Sequence, residues 1–109
     1  MGLRIEKVNE LIRQNIDEIL LKELSLKRGV FITVAKVDTS SDLRYTRIFL
    51  SIFPEKEIQY VEKTLEKEIY KIQGQLNKKL SMKPLPKIQF KIDMTESKAD
   101  VIEKLLKEI

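Results

Sequence analysis

The second half of Ser40–Phe53, SSDLRYTRIFLSIF, alternates with a period of two. Successive side chains of a β-strand leave on opposite faces, so this stretch reads as a strand buried on one side. Thr46, Ile48, Leu50 and Ile52 fall on one face, and Tyr45, Arg47, Phe49 and Ser51 on the other. The first set suits a core. The second mixes rings with a cation, which suits neither a dry interior nor a plain hydrated surface. A fold for this chain has to bury one face of the strand and find a use for the other.

The neighbouring segments supply the burial. Residues 4–24 carry Ile5, Val8, Ile12, Ile16, Ile19 and Leu20 at helical steps of three and four, the mark of an amphipathic helix. Ser25–Arg28 connects, and Gly29 is the break. Val30–Thr39 is rich in strand formers, and Ser40-Ser41-Asp42 is turn chemistry. So short a connection predicts an antiparallel hairpin with the strand that follows. Pro54 ends that strand and suits the first turn of a helix, with Glu55 and Glu57 complementing its positive end. The apolar steps then run on through Ile58, Val61, Leu65, Ile69, Ile72, Leu76 and Leu80. Gly74 lies inside this stripe, where a glycine costs roughly 1 kcal/mol against alanine. It predicts a kink, or two helices in series sharing one apolar face; a single tolerated glycine in a continuous helix is the other reading.

Two prolines in Ser81–Pro86 exclude helix there. Lys87–Met94 alternates again, with Ile88, Phe90 and Ile92 on one side and Lys87, Gln89 and Lys91 on the other. Thr95 or Ser97 is expected to cap a final helix with Ala99, Ile102, Leu105 and Leu106 inward. The order α-β-β-α-(kink)-α-β-α predicts a single α+β domain over residues 1–109, a three-stranded sheet with its helices on one face. The other face, with Tyr45, Arg47, Phe49, Lys87, Gln89 and Lys91, is then open to solvent or a partner, or is filled by cross-strand packing of its own long side chains.

Composition removes most chemistry. The chain has no cysteine and no histidine, so thiolate and imidazole metal sites, disulfides and a histidine base are excluded. Gly2, Gly29 and Gly74 are too scattered to cradle a phosphate. Asp38, Asp42 and Asp93 sit at strand ends, where turn and capping roles explain them. No apolar run approaches the roughly 20 residues that span a bilayer, and MGLRIEKVNE has no signal-like apolar stretch. A cytoplasmic, non-enzymatic binding protein without cofactor or metal is the expectation. The net charge is +4, and the excess is local. Between residues 71 and 91 stand Lys71, Lys78, Lys79, Lys83, Lys87 and Lys91 with no acid among them. Such a zone is either a polyanion site or a solvated surface in a chain rich in both Lys and Glu.

Several stretches together resemble the ribosome-binding factor A family. They are RIEKVNELIRQNIDEILLKEL, VFITVAKVDTSSDLRYTRIFLSI, IQGQLNKKL and PLPKIQFKID. The most specific is Ser41-Asp42-Leu43-Arg44-Tyr45 leading into a strand, supported by Pro86-x-Ile88-x-Phe90. The resemblance covers nearly the whole chain. It implies a type-II KH-like fold, a monomer, and a protein that binds the small ribosomal subunit and its rRNA. It also implies support of late maturation, notably 5′-end processing, a link to growth in the cold, and release by a ribosome-associated GTPase. KH domains usually clamp RNA with a GxxG loop, which this family replaces by an Ala-x-Gly kink. That kink falls here on Glu68-Ile69-Tyr70, with neither the alanine nor the glycine. Asn77 stands where the family has a later glycine, and Gly74 is displaced from the expected place.

On an RNA-binding reading, Lys71, Lys78, Lys79 and Lys83 neutralise phosphates with Arg44 and Arg47 on the hairpin, and Tyr45 and Phe49 stack on bases. The alternative is a protein-interaction module that uses a sheet edge or helix groove and binds no RNA of its own.

Overall fold

A computed structural model describes residues 2–80 and 85–93. Helix α1 spans Gly2–Glu23, strand β1 Phe31–Thr39, strand β2 Tyr45–Phe53, helix α2 Ile58–Lys79 and strand β3 Lys87–Ile92, with one 3-10 turn at Glu55–Glu57 before α2. The expected C-terminal helix and Lys83 lie outside the described residues.

The three strands form one sheet in the order β1-β2-β3. β1 and β2 are the antiparallel hairpin that the short turn predicts. β3 runs parallel to β2, as it must when a whole helix carries the chain back across the sheet. β2 therefore lies at the centre, paired on both edges. Its inner residues Thr46, Ile48 and Leu50 are fully buried, and Ile52 nearly so. Against them pack Ile12, Ile16 and Ile19 of α1 and Val61, Ile72 and Leu76 of α2, all almost wholly removed from water. Burial of side chains of this size contributes about 1.5–3 kcal/mol each.

β1 keeps its inner face by a break in strict alternation. Val34 pairs with Leu50 and Lys36 with Phe49, so Ala35 is an extra residue in the ladder, a β-bulge. Val34 and Val37, three apart, are thus both buried, while Lys36 faces out. Arg13 of α1 donates from Nη2 to the Val34 carbonyl beside the bulge, at 3.3 Å. Further along, the Thr46 hydroxyl lies 2.9 Å from that of Thr39, which donates to Asn9 of α1. The two buried hydroxyls are thereby satisfied.

The hairpin turn is held by its own polar groups. Asp42 Oδ1 accepts from the Ser40 hydroxyl at 2.6 Å and from the Arg44 N–H at 3.1 Å. The Ser40 hydroxyl oxygen accepts in turn from the Tyr45 N–H. Leu43 sits at φ 61°, the left-handed region that costs a leucine about 1–2 kcal/mol. Its side chain packs against the core, which offsets part of that cost. Asp42-Leu43-Arg44-Tyr45, with Ser40 before it, thus builds the turn in this chain.

The stretch expected to kink, or to form two helices, is one uninterrupted helix through Glu68-Ile69-Tyr70 and Gly74. The glycine penalty is smaller than what Ile72 and Leu76 gain on either side of Gly74, where both are fully buried. The N-terminal end also differs from expectation. The first turn after Pro54 is 3-10, and Glu57 pairs with Lys27 of the α1–β1 loop at 2.7 Å. The Lys27 N–H donates to the Tyr60 hydroxyl, and its ammonium lies 4.8 Å from the Tyr60 ring centre. At the other end of α2, Lys79 pairs with Glu18 of α1 at 2.7 Å.

Gln73 fixes α2 to the sheet. Its Oε1 accepts from the Ile88 N–H at 2.9 Å and its Nε2 donates to the Pro86 carbonyl at 3.2 Å. One side-chain amide thus occupies the outer edge of β3 as a neighbouring strand would. Gln73→Met keeps the volume and removes both bonds. It is expected to cost about 1–2 kcal/mol, read as a lower urea midpoint at unchanged slope.

Two carboxylates make acid stability predictable. The Lys79 hydrogen bond lowers the Glu18 pKa from its ordinary 4.5, and the Ser40 hydrogen bond lowers that of Asp42 from 3.8. Groups depressed in the folded state stabilise above their unfolded pKa, and that contribution is lost as pH falls through the folded pKa. Glu18→Gln with Asp42→Asn is therefore expected to lower the melting temperature at pH 7 and to shrink the difference between pH 7 and pH 3. An unaltered pH profile would show that neither carboxylate matters to folding.

Candidate nucleic-acid interface

The outer face of the sheet is built by alternation. From β2 it carries Tyr45, Arg47 and Phe49, from β3 Lys87, Gln89 and Lys91, and from β1 Lys36 and Asp38, in register across the strands. Tyr45 is 48% exposed and Phe49 half-buried. Phe49 sits between Lys36 and Lys91 in one cross-strand row, with the Lys36 ammonium 5.9 Å from its ring centre. In the next row Arg47 lies between Asp38 and Gln89. Arg47 Nη2 is 2.7 Å from the Asp38 carboxylate, so its charge is partly answered within the protein.

At the hairpin end of the sheet, the Lys87 N–H donates to the Arg44 carbonyl at 2.8 Å. Gln73 joins the second half of α2 to the same end of β3. Arg44 is three-quarters exposed, with its guanidinium only 3.9 Å from Asp42. A groove of about 700 Å³ runs between α2 and β3, its walls including Ile69, Tyr70, Asn77 and Lys87. Ile69, Tyr70 and Asn77, three of the residues assigned to a kink, thus line a groove on a straight helix. Tyr70 is 88% exposed there. Glu68 lies apart, 3.7 Å from the Lys71 ammonium; Gly74 offers no side chain and leaves open space where a Cβ would stand.

The three lysines of α2 assigned to RNA contact, Lys71, Lys78 and Lys79, separate into two kinds. Lys71 and Lys78 are exposed and lie two turns apart on one face. Lys79 turns to the α1 side, where Glu18 takes its charge. The sequence spacing groups all three; the structure leaves Lys71, beside Glu68, and Lys78 exposed and uses the third to join helices. Lys36 is absent from the sequence-derived set, because its outward position depends on the Ala35 bulge. The three-residue interval between Val34 and Val37 is the sign in the sequence that could have found it. Among the described residues no group of His, Cys, Asp and Glu could hold a metal ion, and no helix is long and apolar enough to cross a membrane.

Comparison with known proteins agrees with this architecture. A crystal structure of ribosome-binding factor A from Thermus thermophilus superposes with a TM-score of 0.60 at 19% identity, covering 84% of this chain and 92% of that one. A homology model of the T. thermophilus protein, fitted into a cryo-EM map of a 30S–RbfA complex, gives 0.62 at 17% identity, covering 78% and 90%. In sequence, the ribosome-binding factor A of Natranaerobius thermophilus is 38% identical over 109 residues, 99% of this chain and 83% of the relative. The profile of the ribosome-binding factor A family matches residues 4–106, and the chain belongs to that family.

Proposed function

We propose that this chain acts, as a single cytoplasmic domain and a monomer, in assembly of the small ribosomal subunit. It binds the subunit and its rRNA, supports late maturation including 5′-end processing and growth in the cold, and leaves with the help of a ribosome-associated GTPase. The observation that carries the reading is the family match over residues 4–106. The T. thermophilus relative fitted into a 30S complex supports the choice of partner. The protein catalyses nothing itself on this reading; it works by occupying RNA.

The electrostatics suit the role. Lys71 and Lys78 present their charges outward from α2, and Arg44 projects from the hairpin turn. They contact phosphates, with Arg47, Lys79 and Lys83 adding to the basic zone. Such contacts position the protein without reading sequence, and they make affinity fall as salt rises.

Because Lys79 also holds α1, reversing its charge confuses binding with folding. The cleaner variant is Lys71→Glu with Lys78→Glu. Binding of the wild type to immature small subunits and to free small-subunit rRNA is expected to weaken steeply between about 50 and 200 mM salt, by about tenfold or more. The double variant is expected to bind at least roughly tenfold more weakly at low salt. Its salt slope should be shallower by about one for each phosphate it no longer neutralises, with an unchanged circular dichroism spectrum. Equal binding by the variant would move the site off α2. No binding by the wild type at low salt would favour a protein-interaction module instead.

A further inference from the structure

We propose that the open face of the sheet is a platform for an unpaired, extended stretch of small-subunit RNA, a second contact separate from the lysines of α2. This rests on the RNA-binding reading above and extends it to residues that reading did not use: Lys36, Lys87 and Lys91.

Three features of the face favour single-stranded RNA. The first is its rings. Tyr45 and Phe49 stand four residues apart on the same side of β2, about 13 Å at the rise of a strand. Bases stacked on one another rise only about 3.4 Å each. Rings that far apart each receive their own base from an unstacked strand, whereas the bases of a duplex already cover one another.

The second feature is the placing of charge. Each ring has a lysine as its cross-strand partner, Lys87 beside Tyr45 and both Lys36 and Lys91 beside Phe49. A base on a ring therefore brings its phosphates to an ammonium. Among the described residues no carboxylate lies within ion-pairing distance of Lys36 or Lys87, whereas Asp38, the one acid on the outer face of the strands, is held by Arg47. Asp93 follows just past the end of β3.

The third feature is rigidity. β2 is hydrogen-bonded on both edges and buried on its inner face. Its rings are presented without the ordering cost that loop residues would carry.

The test uses the full chain with Tyr45→Ala and Phe49→Ala together, and measures affinity for a fluorescent single-stranded oligouridine, a duplex RNA of equal length, and small subunits. Stacking predicts roughly tenfold weaker oligouridine binding per ring removed, with duplex binding nearly unchanged. Lys71→Glu/Lys78→Glu is expected to weaken duplex and subunit binding. Because Phe49 is half-buried, Phe49→Trp provides a folded control that should bind oligouridine at least as tightly as the wild type. If the wild type binds subunits but not oligouridine, or if losing both rings changes nothing, the platform is wrong and the assembly-factor reading stands. If the wild type binds neither subunits nor RNA at low salt, both fail together.

Discussion

The central strand holds this structure together. β2 is paired antiparallel on one edge and parallel on the other, and four of its nine residues are buried among the apolar stripes of two helices. A strand fixed on three sides has one direction left. Period-two geometry then determines which side chains emerge there. A slip of one residue would exchange Ile48 and Leu50 for Arg47 and Phe49 in the core, so the register of the outer face is guarded by the burial of the inner one.

The helices are attached to this strand differently. α1 lies over β1 and reaches it by polar contacts, Arg13 to the Val34 carbonyl and Asn9 to the Thr39 hydroxyl. α2 leads the chain from β2 back to β3, and is tied at three points along its length. Glu57 and Tyr60 hold Lys27 at its start, Gln73 holds the edge of β3, and Lys79 holds Glu18 at its end. The ion pairs at the two ends each keep one partner open to water, and each is worth little alone. They set the angle of a helix whose position comes mainly from Val61, Leu65, Ile72 and Leu76.

Most of this architecture was legible in the sequence because it rests on periodicity. The alternation of Thr46–Ile52 and Ile88–Ile92 marks the inner face, and the stripe from Ile5 to Leu20 marks the first helix. What escaped depends on partners distant along the chain or on competing small energies. The helix stays whole at Gly74 because local propensity yields to the burial of Ile72 and Leu76. Lys79 looks like its neighbour Lys78 until Glu18, 61 residues away, is placed beside it. The acidic partner of Arg47 likewise becomes visible only once Asp38 is known to be its cross-strand neighbour. For the candidate interface, residue types were therefore readable, whereas which charges remain free was not.

The bulge at Ala35 means that β1 has nine residues but the inward–outward phase of eight. Removing Ala35 would leave Val34 facing in, Lys36 facing out and Val37 facing in, all still opposite the same partners on β2. Removing Lys36 would also keep the register but would set Ala35 in the outward place of the lysine, whereas removing Thr33 would displace Phe31 and Ile32 relative to their partners. Loss of one residue at the bulge is thus compatible with an unchanged register, and only loss of Ala35 itself keeps the outer face as it is.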